Sequence, residues 1–142
     1  MFEVVYYPNC GGAEKMCHGI EKVAEAIAVE LDVKAEDIKS KNGLAKDSFV
    51  FLGSGCYGVK RGEELQEFIA RNDFKGRKVA LFGTSGNGKG NEVKAIEEML
   101  KPASAHIAGS FCCKGHPSIL FKEHPNDEEL TGAREFASEM KK

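Results

Sequence analysis

Residues 78–100, KVALFGTSGNGKGNEVKAIEEML, decide the fold. They open on an apolar run that ends at Phe82, pass through a loop of glycines and small polar residues, and close on Val93, Ile96, Met99 and Leu100. A short apolar run ahead of a glycine-rich turn reads as a buried strand, and apolar residues three and four apart mark one face of a helix. Pro102 cannot continue that helix. The unit is therefore strand, loop, helix. From Gly83 the loop also spells G-x-x-x-x-G-K, the start of a nucleotide-triphosphate cradle. The pattern then wants a Ser or Thr hydroxyl to hold Mg²⁺, and this chain offers Gly90. With no acidic strand end nearby for the metal, the triphosphate reading fails, and the loop reads as a strand-to-helix turn.

The same alternation extends in both directions. Residues 2–7 (FEVVYY) read as a strand stopped by Pro8-Asn9, and Ile20, Val23, Ala24, Ile27, Ala28 and Leu31 form a helical stripe. Residues 33–38 make a faint strand, 39–47 a polar loop, and 48–53 a clear strand with a turn at 54–58 behind it. Leu65, Phe68 and Ile69 place a helix over 63–71, and 104–112 reads as a short strand. Asn126, with Glu129 three residues on, is the N-cap signature of a last helix through Leu130, Ala133, Phe136, Ala137 and Met140. The segment 110–125 is left irregular and long enough to be functional. Strands alternating with helices predict an α/β sandwich on a mostly parallel sheet, a single domain over residues 1–142.

Composition narrows the function. The 142 residues are 42% hydrophobic and 30% charged, an ordinary globule, and the formal net charge of −2 leaves no basic footprint for nucleic acid. No apolar run approaches the length of a membrane span, and the N-terminal run lacks the basic flank of a signal peptide. A cytoplasmic protein is expected. Its five cysteines, an odd number, then read as thiols, ligands or core residues rather than disulfides.

In open parallel sheets ligands bind beyond the carboxyl ends of the strands, where the strand order reverses. Three glycine-bearing or small-residue turns leave strands here, at 8–13, 53–58 and 83–90, and all should converge on one edge. VFLGSGCYG at 50–58, KGRKVALFGTSG at 75–86, EKVAEAIAVEL at 21–31 and, near the C-terminus, GHP at 115–117 or HPNDEELTGAREFA at 124–137 resemble short-chain flavodoxins and flavodoxin-like domains. The likeness covers most of the chain from residue 20 onward. It implies a three-layer sandwich with a five-stranded parallel sheet in the order 2-1-3-4-5. It also implies an FMN cofactor and one- or two-electron transfer between redox enzymes, a reductase or an oxidase, with no catalytic residue of the protein's own. Carried onto this chain, it places Ser54, Gly55, Cys56, Tyr57 and Gly58 against the isoalloxazine ring. Tyr57 would stack on the ring, and the peptide at Gly58 would make the backbone flip facing N5. Thr84, Ser85 and Gly86 would give backbone N–H groups to the ring's carbonyl edge. On residues alone Tyr57 reads equally as a half-buried surface aromatic.

The first loop departs from that family. Its phosphate loop is rich in Ser and Thr, whereas the first serine of this chain is Ser40 and no threonine precedes it. Asn9, Cys10, Gly11 and Gly12 would have to hold a phosphate with backbone N–H groups alone, as an anion nest. The net charge departs too, since flavodoxins are usually strongly acidic and steer to basic partners. Cys10, Cys17, Cys56, Cys112 and Cys113 all fall at the expected sheet edge, beside His18. The alternative is thus a flavodoxin-like domain without FMN, whose cysteine-lined edge binds metal or does thiol redox or regulatory chemistry. A flavin enzyme that reduces a small substrate is a third reading. The spacings match no standard zinc pattern, and small buried hydrophobes are the plain account of the same cysteines.

Overall fold

Strand and helix alternate along the chain as the apolar spacing dictates. The computed structural model describes residues 1–7, 18–41, 43–56, 63–85, 91–114 and 126–142. Within them lie β1 (Phe2–Tyr7), α1 (His18–Leu31), β2 (Ala35–Asp37), β3 (Phe49–Cys56), α2 (Glu63–Arg71), β4 (Lys78–Ser85), α3 (Asn91–Leu100), β5 (His106–Lys114) and α4 (Asp127–Met140). The five strands pair in parallel in the order β2-β1-β3-β4-β5, the order that the family likeness implied.

Three readings shift at their edges. The faint strand over 33–38 condenses to the three residues of β2. Ser54 to Cys56 and Thr84 to Ser85, expected in turns, continue β3 and β4, because each is held in register by the neighbouring strand. The strand expected over 104–112 runs from His106 to Lys114 as β5, so that Cys113 and Lys114, expected in the irregular segment, belong to it.

Successive strand residues face opposite sides of a sheet, so a strand buried on both faces reads as an unbroken apolar run. Val4 of β1, Phe51 of β3, and Ala80 and Phe82 of β4 pack with α1 and α4 through Ile20, Val23, Ile27, Ala133 and Ala137. Val5, Val50, Leu52, Val79 and Leu81 pack on the opposite face with Leu65, Phe68, Val93 and Ile96 of α2 and α3. Gly53 lets the two middle strands close up. It lies opposite Phe82 in the register, and a Cβ there would collide with the Phe82 ring. The cap of α4 is the one expected. The Asn126 side chain accepts from the Glu129 N–H at 2.9 Å, and Glu129 Oε1 accepts from the Asn126 N–H at 3.0 Å.

Among the described residues no helix carries the chain from β2 to β3; residues 38–41 and 43–48 do so, and polar groups hold them. Glu3, on β1 and only 10% exposed, pairs with Lys41 Nζ at 2.7 Å. Its Oε2 accepts from the Ala45 N–H at 3.0 Å and from the Ser48 hydroxyl. Ser48 Oγ accepts in turn from Arg77 Nη1 at 2.7 Å. Asn72 adds a stitch, accepting from the Leu44 N–H at 3.1 Å. Burial works to raise the Glu3 carboxyl, but Lys41, Ser48 and the Ala45 N–H outweigh it and hold the pKa below the ordinary value. Burial likewise opposes the charged form of Lys41, and Glu3 with Glu36 outweighs it, so that pKa rises. Both shifts favour the ion pair.

A carboxyl whose pKa falls on folding stabilises the protein above its unfolded value, and that contribution disappears as pH falls through the folded value. Melting temperature should therefore decline as pH drops below about 4.3, the unfolded glutamate value. Glu3→Gln should start less stable at neutral pH and show a shallower acid decline. Parallel acid limbs for the two proteins would contradict the assignment.

Candidate functional site

The carboxyl ends of the strands form a step. The register sets Tyr7, Ser54, Gly83 and Cys112 side by side across β1, β3, β4 and β5. β1 ends on that row at Tyr7, and β2 ends at Asp37, opposite Tyr6. β3, β4 and β5 run two rows further, through Gly55–Thr84–Cys113 and Cys56–Ser85–Lys114. The floor drops between β1 and β3, which is also where the strand order reverses. Crevices at that point are where open parallel sheets take their ligands.

On β3 and β4 the wall of the step is built from small, uncharged residues, and Lys114 closes the upper row on β5. Ser54 follows Val50 and Leu52 at the two-residue spacing of one sheet face, and Thr84 follows Ala80 and Phe82 on the other. Both are buried, Thr84 completely. Each has a glycine directly opposite on the neighbouring strand, Gly83 beside Ser54 and Gly55 beside Thr84. Bare backbone thus stands next to each hydroxyl residue. Tyr7 is buried at the foot of the step. No carboxylate occurs among the described residues of these two upper rows or of the Tyr7 row. This donor set, neutral hydroxyls and backbone amides at the edge of an apolar sheet, fits a planar heteroaromatic ring with carbonyl and nitrogen edges.

Of the residues singled out in the sequence, the structure brings Ser54, Gly55, Cys56, Thr84 and Ser85 to this step. Asn9, Cys10, Gly11, Gly12, Cys17, Tyr57, Gly58 and Gly86 lie outside the described residues. The cysteine pair is divided. Cys113 is buried toward α1 and α4, and Cys112, one residue earlier on the same strand, is exposed on the other face. Among the described residues no three His, Cys, Asp or Glu side chains gather into a metal-binding group. No helix among them is long and apolar enough to cross a membrane. Sequence reasoning missed Tyr7 as part of the floor. Its signal was the two-residue spacing from Val5, which already placed it on a buried face.

No family-wide sequence profile matches the chain. An uncharacterized protein of Methanocaldococcus jannaschii is 31% identical over 134 residues, covering 86% of this chain and 89% of that protein. A flavodoxin of Megasphaera elsdenii is 30% identical over 118 residues, covering 78% of this chain and 83% of that protein. Among solved structures, the oxidised flavodoxin 2 of Bacillus cereus superposes with a TM-score of 0.67 at 20% identity, over 99% of this chain and 98% of the other.

Proposed function

Since this chain belongs to the flavodoxin family, we propose that it binds FMN at the stepped strand ends and carries electrons between redox proteins in the cytoplasm. The observation that carries the reading is the step at the reversal of strand order, walled by Ser54, Thr84 and glycine backbone, with no carboxylate among the described residues of its rows. Bound FMN would supply the electron-accepting ring, as cofactors do in proteins whose side chains have no redox chemistry of their own.

The chain's part is to hold, orient and tune. Ser54 to Gly58 flank one side of the ring, with Tyr57 stacking on it and Gly58 supplying a peptide free to take either sign of φ. Thr84, Ser85 and Gly86 direct backbone N–H groups at its polar edge. Thr84 and Ser54 are fixed by burial in strands, so these donors are set before the ligand arrives, which lowers the ordering cost of binding. Asn9 to Gly12 take the phosphate through backbone N–H groups, since no serine or threonine precedes Ser40. Each charge-assisted hydrogen bond missing from such a loop costs about 1.5–3 kcal/mol, so affinity is expected to sit below that of a hydroxyl-rich loop. Redox partners would meet the edge of the ring that the loops leave open.

The deciding experiment is a titration of FMN with the purified protein. Quenching of flavin fluorescence and a two-banded visible spectrum are expected at micromolar FMN. Unquenched fluorescence and no bound flavin after desalting would sink the reading.

A further inference from the structure

The opposite pole of the sheet, where the strands begin, carries a groove of about 470 Å³ between residues 44–49 and the turn at 73–78. That volume lies in the range of small-molecule sites. Lys46, Lys75, Arg77 and Lys78 line it against two carboxylates, Asp47 and Asp73. The excess is cationic on a chain whose net charge is −2. Among the described residues none of these four cations forms a salt bridge; the ion pairs there join Lys41, Lys101 and Lys142 to other acids. Asp73 is turned to its own backbone, where its carboxylate accepts from the Lys75 N–H at 3.1 Å.

Arg77 is the informative member. It is half-buried, a position that asks every donor for a partner. Its Nε donates to the Asp73 carbonyl at 2.8 Å, and Nη1 donates to the Ala45 and Ser48 carbonyls and to Ser48 Oγ. Nη2 donates to none of the described residues. The nearest acid behind it, Glu3, is reached only through the Ser48 hydroxyl and already holds Lys41. With Nε and Nη1 anchored to the protein, the two Nη2 hydrogens remain to donate charge-assisted bonds to an anion such as a phosphate oxygen. Lys46, Lys75 and Lys78 are exposed around it, with Lys78 Nζ 5.9 Å from the centroid of the Phe49 ring. At Gly76, in the left-handed region at φ +69, nothing lies within 4 Å of where a Cβ would stand, so the turn leaves the groove open.

We propose that this groove binds a small phosphate-bearing anion, at the pole opposite the flavin site and independently of it. Enclosure by two segments and the partly buried Arg77 guanidinium favour a compact, multiply charged ligand over the flat surface of a protein.

The test is a titration of pyrophosphate into isotope-labelled protein at low salt, following the amide resonances of Asp47, Lys75 and Gly76. Saturable shifts of these amides at millimolar pyrophosphate are expected. Lys46→Ala, Lys75→Ala and Lys78→Ala remove exposed side chains and leave the fold intact, and each should weaken binding roughly threefold, with the triple variant down about 20-fold or more. Absence of saturable shifts would overturn the proposal. Shifts that persist undiminished in the triple variant would overturn it too, since the anion would then sit elsewhere. Shifts produced by polyglutamate but not by pyrophosphate would replace it with a docking surface for an acidic protein.

Discussion

Gly53→Ala should cost about 3 kcal/mol of stability, the upper part of the range for overpacked cores, although it adds one methyl group. The new Cβ would collide with three ring atoms of Phe82, which is fully buried. That ring cannot step aside cheaply, because it lies in the cluster formed by β1, β3, β4, α1 and α4. Either the strands part at the Gly53–Phe82 pair or the ring leaves its rotamer. Phe82→Ala alone should cost about 3–5 kcal/mol through the cavity it opens. Combined with Phe82→Leu, Gly53→Ala should lose less than the sum of the two single changes, since the smaller side chain makes room for the methyl. Urea denaturation of the set measures all of this. Gly53→Ala within half a kcal/mol of the parent, about the scatter of neutral surface changes, would refute the argument.

The second large effect concerns the ligand. Tyr57→Ala should weaken FMN binding by about 10- to 100-fold, the loss that follows when a stacked aromatic worth about 1–3 kcal/mol is removed from a heterocycle. Lys89→Ala should change affinity by less than about twofold, because its place in the G-x-x-x-x-G-K spelling is incidental without the hydroxyl that completes the motif. Fluorescence titration of both variants, each checked for an unchanged melting temperature, separates the roles. Equal losses would reassign the loop after β4 to phosphate binding.

The alternation that defines the architecture was legible because parallel strands buried on both faces leave continuous apolar runs, as at Val79 to Phe82. Their helices likewise leave three-four stripes. The α4 cap was legible for a local reason, since Asn126 and Glu129 complete each other within one turn. What stayed hidden depends on partners far along the chain. Ser54-Gly55-Cys56 and Thr84-Ser85 carry turn residues, and pairing with neighbouring strands keeps them extended. The step that marks the candidate site is a difference in strand length, so it was invisible for the same reason. Glu3 stands in an apolar run as an apparent misfit, and nothing adjacent reveals that Lys41, Ala45 and Ser48 will come to it. β2, with Ala35, Glu36 and Asp37, has neither length nor alternation, and so it read only as the faint strand over 33–38.

The helix-free bend between β2 and β3 has a dynamic consequence. A crossover helix would be fastened by apolar contacts, whose strength does not depend on acidity. Besides the apolar anchors Ile38 and Leu44, this one is fastened by the Glu3 carboxylate, which holds Lys41, Ala45 and Ser48, and by Arg77 on Ser48, so the work of lifting it away depends on protons. Native-state opening is graded, and units with few apolar contacts open before the rest. Residues 39–41 and 43–48 are therefore the part of the described fold whose amide exchange and protease nicking should accelerate first on acidification, while the five strands beneath remain closed.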